Sequence, residues 1–312
     1  MSLFDKRLIF VLGKGGVGKT TIAASLGLAA HKLGKKVLLL EVGDADSIGP
    51  LINNTTLPFY PKEIYPKLWG ARINPRLVIE DYVYVQVGFT FIASRITKSK
   101  IFDHLVDVAP GLKEVMTLGQ IWRWDQEIEN GSNRFDITII DAPATGHGLG
   151  MLRVLPALIE MINFGPIAEQ SKVVLNLLKN QEKTWITLVT LPEELPVNEA
   201  IEFRNIAEKD LDMPVNVTFI NGVYPEIFNL EEQEDIYKHL NNSTNTNPNL
   251  INIFKSAQDE IIRYKIQKNY IKQIKTGARG FVIEVPFFFT NELKIENVKE
   301  IASLILKSTN YE

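Results

Sequence analysis

Residues 7–21 read Arg-Leu-Ile-Phe-Val-Leu-Gly-Lys-Gly-Gly-Val-Gly-Lys-Thr-Thr, and this stretch decides the fold. Gly13 is followed after four residues by Gly18-Lys19-Thr20, the spacing of a phosphate-binding loop, between a short apolar run and a helix-like run. Leu8–Leu12 predicts a buried strand. Gly13, Gly15, Gly16 and Gly18 free the backbone to turn its N–H groups onto a phosphate without Cβ obstruction. A helix beginning near Gly18 adds the positive end of its dipole. The cradle therefore runs through Gly13, Gly15, Gly16, Val17, Gly18, Lys19, Thr20 and Thr21. Lys19 reaches the terminal phosphates, and the Thr20 hydroxyl joins a Mg²⁺ shell, which points to ATP with Mg²⁺.

Outward from the loop, Thr21–Leu33 carries apolar residues at helical spacing, with Gly34 placed as a C-terminal cap, and Val37–Val42 is a second apolar strand. A strand, helix and strand of this kind predict an α/β fold: a doubly wound, mostly parallel sheet with helices on both faces and ligands at the carboxyl ends of its strands. Two loops fall at such ends. Gly43-Asp44-Ala45-Asp46-Ser47 follows the second strand, where Asp44 and Asp46 either position an attacking water or touch Mg²⁺, or merely make a turn. Phe135–Ile140 is a third strand that delivers Asp141-Ala142-Pro143-Ala144-Thr145-Gly146-His147. A carboxylate at the end of a buried strand suits Mg²⁺ held through water, so Asp141 is a candidate metal residue. Thr145 and Gly146 are candidates for offering backbone N–H groups to the γ-phosphate.

These loops resemble those of a known family. Gly-Lys-Gly-Gly-Val-Gly-Lys-Thr-Thr is similar to the deviant Walker loop of the MinD-like, ParA-like, nitrogenase-iron-protein-like and arsenite-pump-like ATPases. In that group the early lysine, here Lys14, crosses a dimer interface to the partner's nucleotide. Asp141-Ala142-Pro143-Ala144-Thr145-Gly146-His147 resembles the second switch of the arsenite-pump and tail-anchored-protein-targeting ATPases, and Ala109-Pro110-Gly111-Leu112-Lys113-Glu114, Leu191-Pro192-Glu193-Glu194-Leu195 and Val285-Pro286 agree with it. The resemblance implies one P-loop ATPase domain over residues 1–312, working as a homodimer or a heterodimer with a related ATPase. It also implies that Asn221 hydrogen-bonds the adenine edge, against the rival reading of a turn before Gly222, and that Pro286 lies where relatives close over the base. In the first switch of the family an aspartate orients the water; aligned on Ala45 and Ser47, that position is Gly43 here. Either Asp44 substitutes, or hydrolysis is slow.

Residues 50–76 read as an irregular connection. Arg76–Ser99 is open between strand and helix and leans to helix; Ile101–Val108 and Pro110–Ile128 read as helices, as does Leu149–Leu178 with breaks. A helical insertion over approximately 76–130 and 149–178 is thus expected, offering a site for a protein client, although five Met are few for an adaptable Met-lined groove. Thr184–Thr190, Val215–Ile220 and Phe281–Val285 read as strands, Val197–Glu208, Leu250–Lys275 and the run from Ile295 to Ile305 as helices, and Asn241–Asn249 as a mobile loop.

Composition narrows the rest. The chain has 312 residues with 45% hydrophobic content, ample for a sizeable core. Its 34 Lys and Arg against 37 Asp and Glu leave a net charge of −3, which gives no domain-wide basic surface, so nucleic acid is not expected. There is no cysteine, which excludes disulfides, thiolate zinc sites and cysteine-held iron–sulfur clusters. The thiolate arsenite site and the zinc-bridged dimer known in relatives are excluded with them. No run reaches 18 apolar residues and none reads as a signal peptide, so the expectation is a cytoplasmic protein without a transmembrane segment. A rival reading, a MinD-like or ParA-like regulator acting at membrane or DNA, lacks a basic terminal helix in its favour.

Overall fold

Strand β1 (Leu8–Gly13) is buried along its whole length, and its side chains alternate between two layers: Leu8, Phe10 and Leu12 enter one core, Ile9 and Val11 the other. Strand β2 (Val37–Val42) divides in the same way, with Leu38 and Leu40 against Val37 and Leu39. Continuous apolar runs of this kind belong to a parallel sheet covered on both faces. The computed structural model describes residues 3–44, 46–109, 111–143, 152, 153, 156, 166–241 and 247–311. Its main sheet has eight strands in the order β10-β9-β8-β1-β7-β2-β4-β3. The remaining members are β3 (Lys62–Tyr65), β4 (Leu68–Ile73), β7 (Ile137–Asp141), β8 (Thr184–Thr190), β9 (Val215–Val223) and β10 (Phe281–Pro286). Every pairing is parallel except β3 with β4. From β1 the chain crosses to β2 on one side, and from β7 it crosses to β8 on the other. The crevice at the carboxyl ends of β1 and β7 is therefore the topological switch point.

Helix α1 (Lys19–Lys32) lies on one face with α2 (Ile48–Asn53) and the last helix, α11 (Ile295–Ser308), which buries Val298, Ile301, Ala302 and Ile305. Gly27 lets α1 close on β2, since a Cβ there would meet the Leu39 methyls at 2.8 Å. The other face carries α3 (Pro75–Val87), α5 (Lys100–Val108), α6 (Leu112–Asp125), α7 (Pro166–Lys179), α8 (Glu194–Lys209) and α10 (Pro248–Gly277), while α4 (Thr90–Thr97) packs on α3 and α9 (Leu230–Asn241) packs on α10. Trp124 is buried among them and meets the Phe59 ring edge-on, which makes it core.

Two sequence expectations change, and the lean to helix over 76–99 holds. Residues 50–76 are not an irregular connection: they form α2 and two strands, and β4 is a full parallel partner of β2 from Val37↔Leu68 to Val42↔Ile73. The expected helix 110–128 stops at Asp125, and Ile128–Glu129 (β5) pairs with Ser132–Asn133 (β6) around Asn130-Gly131, both at positive φ, a two-residue hairpin turn. The strand-or-helix ambiguity over 76–99 resolves as two helices broken at Gly88, whose φ is 69°. Thr145, Gly146 and most of residues 149–165 lie outside the described residues, as does most of the 241–249 loop; the later part of the helical run expected over 149–178 is α7.

Candidate nucleotide site

The phosphate loop leaves β1 and turns into α1 through Gly18, at φ 92°. A Cβ on Gly18 would stand 2.2 Å from the Asn221 amide nitrogen, so only glycine fits. That amide donates to the Val17 carbonyl at 2.9 Å, tying the loop to the end of β9. Gly15 and Gly16 are exposed at the apex, and Val17 is buried beneath it. The Lys19 ammonium donates to the Lys14 carbonyl at 3.0 Å and so crosses the mouth of the loop. Burial holds its pKa below the usual lysine value, with the Asp141 charge opposing.

Thr20, in the first turn of α1, donates its hydroxyl to Asp141 Oδ2 at 2.6 Å. Asp141 Oδ1 is buried and has no partner among the described residues. Burial pushes the Asp141 carboxyl up to about 7; the Thr20 hydrogen bond and Lys19 work against this, and Glu41 adds to it. A hydroxyl, a carboxylate and one buried oxygen lone of partners fit a small hard cation that keeps most of its own waters, as Mg²⁺ does. Among the described residues no group of three or more His, Cys, Asp or Glu could hold a metal, so a cation here depends on Thr20, Asp141 and the phosphates of a nucleotide.

Asp44 and Asp46 are engaged elsewhere. Asp44 is exposed; its carboxylate accepts from Asn74 Nδ2 at 2.7 Å and its carbonyl accepts from Arg72 Nη1 at 3.1 Å. Asp46 accepts from the Leu57 N–H at 3.3 Å. Lys14 pairs with Glu199 of α8 at 2.9 Å, each side chain about one-third exposed (32% and 34%). Pro286, at the end of β10, lies beside an aromatic group formed by Tyr224, Phe287 and Phe289, with Tyr224 and Phe287 stacked at 4.6 Å and Arg263 over the Tyr224 ring.

A family model described as anion-transporting ATPase matches residues 6–307 of a chain with this loop, this switch-point crevice and this sheet. The chain belongs to the anion-transporting ATPase family. ATPase BagA of Mycobacterium tuberculosis is 32% identical over 235 residues, which cover 73% of this chain and 68% of that protein. ATPase GET3 of Komagataella phaffii is 25% identical over 319 residues, covering 97% and 91%. ATPase ASNA1 homolog 2 of Paramecium tetraurelia is 25% identical over 315 residues, covering 96% and 93%. The arsenite-pump-like resemblance read from the loops thus holds along the chain, and this member of the family is an ATP hydrolase.

The residue that sequence reasoning passed over is Glu41. Only 3% exposed, it sits next to Asp141 in register on the neighbouring strand. A charged residue as the fifth member of an otherwise apolar central strand was the available signal. The aromatic group around Pro286 was also missed, because Tyr224 follows β9 while Phe287 and Phe289 follow β10, far apart in the chain. Among the described residues no helix is long and apolar enough to cross a membrane.

Proposed function

We propose that this ATPase is Mg²⁺-dependent and acts as a dimer of deviant Walker A type, in the cytoplasm, with ATP binding and hydrolysis moving a helical client-binding subdomain. The observation that carries the reading is the Thr20–Asp141 hydrogen bond with its unpartnered buried oxygen, set directly under the Lys19 arch. In this reading Mg²⁺, when bound, neutralises charge on the β- and γ-phosphates. Thr20 and Asp141 would hold the cation between them. Lys19 leaves the Lys14 carbonyl to meet the terminal phosphates, and the N–H groups from Gly13 to Thr21 take the remaining phosphate oxygens. Thr145 and Gly146 answer to the γ-phosphate, and Asn221 and Pro286 border the base. Lys14 leaves Glu199 to serve the nucleotide of the partner, in a homodimer or a heterodimer with a related ATPase.

Client binding is supported by an apolar face on α3 to α5. Phe89, Phe91 and Ile101 are exposed by 70%, 76% and 81% there, next to a cavity of about 340 Å³ lined almost wholly by apolar side chains such as Ile79, Tyr82, Ile96 and Met116. Exposed apolar area of this extent marks interaction surfaces. The test is calorimetry with Mg·ATP alongside γ-phosphate release, on the wild type and Lys19→Ala. Binding heat and turnover are expected for the wild type, with turnover reduced about 100-fold or more in the variant. A folded protein with no binding heat overturns the reading.

A second reading, a switch subunit with slow hydrolysis that pairs with a more active sister, is favoured by one observation: Asp44 and Asp46 both have partners away from the phosphate loop. Brisk γ-phosphate release by the protein alone sinks it.

A further inference from the structure

Residues 37, 39 and 41 of β2, and 137, 139 and 141 of β7, point to the α1 face of the sheet, because the side chains of a strand alternate. Glu41 and Asp141 are register partners there, on strands about 4.8 Å apart, over the same layer that holds Thr20. The Glu41 carboxylate does not point into the phosphate loop. Its two oxygens accept from the backbone N–H of Ser47, at 2.9 and 3.0 Å, and one accepts from the N–H of Ile48 at 3.1 Å. Ser47 and Ile48 end the loop that follows β2 and open α2. A buried carboxylate is costly, and two backbone donors offset that cost only while the loop keeps this geometry. The loop's own carboxylates face elsewhere: Asp44 accepts from Asn74 and Asp46 from the Leu57 N–H.

We propose that Glu41 is a positioning residue for ATP hydrolysis: it fixes the loop over residues 43–48 to the strand pair that carries Asp141, so that changes at the phosphate end are felt in that loop. The inference rests on the reading of residues 13–21 as the nucleotide site. Glu41 touches neither substrate nor metal; it acts through the loop it holds and through its charge beside Asp141. A glutamine in its place keeps the shape, but it offers one acceptor and turns an NH₂ group toward a backbone N–H.

The test is Glu41→Gln in the full chain, with folding checked by circular dichroism, ATP affinity by calorimetry and kcat by γ-phosphate release. The expected result is a kcat at least tenfold below wild type with an ATP Kd within about threefold, together with faster hydrogen exchange at the Ser47 and Ile48 amides, the pattern of a lost orientation rather than a lost binding contact. A folded variant with kcat within twofold of wild type overturns the proposal, and so does an equal fall in kcat and affinity. If Glu41→Gln does not fold, hydrogen exchange on the wild type decides: the Ser47 and Ile48 amides are expected to be protected and to shift at least tenfold with a non-hydrolysable ATP analogue and Mg²⁺, and no protection or no shift overturns the proposal. Absence of ATP binding by the wild type sinks the site reading instead, which keeps the two failures apart.

Discussion

At the scale of single residues, Asp141 governs the pH response. Its carboxyl is held near 7 chiefly by burial, with Glu41 adding to the shift, whereas in an unfolded chain an aspartate titrates near 4. Between those values the folded protein keeps a proton that the unfolded chain has released. The stability that Asp141 contributes to the nucleotide-free protein is therefore expected to fall as pH rises from about 4 to about 7 and to level off above that, while His31, whose pKa burial lowers, works in the opposite sense. Urea midpoints across this range check it. Asp141→Asn is expected to flatten most of the slope, with Glu41, raised by burial in the same direction, carrying the remainder. An Asp141→Asn variant whose slope matches that of the wild type refutes the assignment. The same residue shows how far sequence reading reaches: its place at the end of an apolar strand was legible, but its proton affinity depends first on how deeply the fold buries it, with Glu41, 100 positions away in the chain, adding to the effect.

At the scale of elements, the helices α3, α4 and α5 separate what packs from what faces out. Val78, Ile79, Phe102 and Val106 are buried, whereas Phe91 and Ile101 are 76% and 81% exposed. Removing the exposed pair with Phe91→Ser and Ile101→Ser is expected to leave stability within about 0.5 kcal/mol per site, as for surface positions without partners. Phe102→Ala, from the same stretch of sequence, is expected to cost about 3 kcal/mol or more. Chemical denaturation of the variants measures both, and an equal cost for the two kinds of site contradicts this arrangement. Apolar spacing alone did not distinguish these positions. Short amphipathic helices with aromatic residues on both sides read alike whichever side finds a partner. The strand β4 was missed for a related reason: Gly70 and Arg72 break its alternation, and its place beside β2 supplies the pairing that its own composition does not announce.

For the whole molecule, the proposed dimer makes a sharp complementation test. Lys14 and Lys19 variants, Lys14→Ala and Lys19→Ala, are each expected to be inactive alone. If Lys14 serves the partner's nucleotide, a mixed dimer has one complete site, and an equimolar mixture recovers up to about a quarter of wild-type turnover, since half the dimers are mixed and half their sites are whole. No recovery on mixing means that Lys14 serves its own chain. The Lys14–Glu199 pair is no obstacle to this exchange, because an ion pair with both partners about one-third exposed contributes at most about 1 kcal/mol.

The sequence by itself determined the phosphate loop, the buried strands beside it, the parallel sheet and the family, because these follow from short-range rules: glycine freedom at a tight turn, apolar runs of strand length, and a carboxylate at a strand end. Only the tertiary structure decided where the carboxylates face. It turned Asp44 and Asp46 to Asn74 and Leu57, set Glu41 beside Asp141 and parked Lys14 on Glu199. Those outcomes are fixed by strand register and helix placement across the fold, where a charge is steered by the neighbours that desolvate or pair it and not by the residues next to it in the chain.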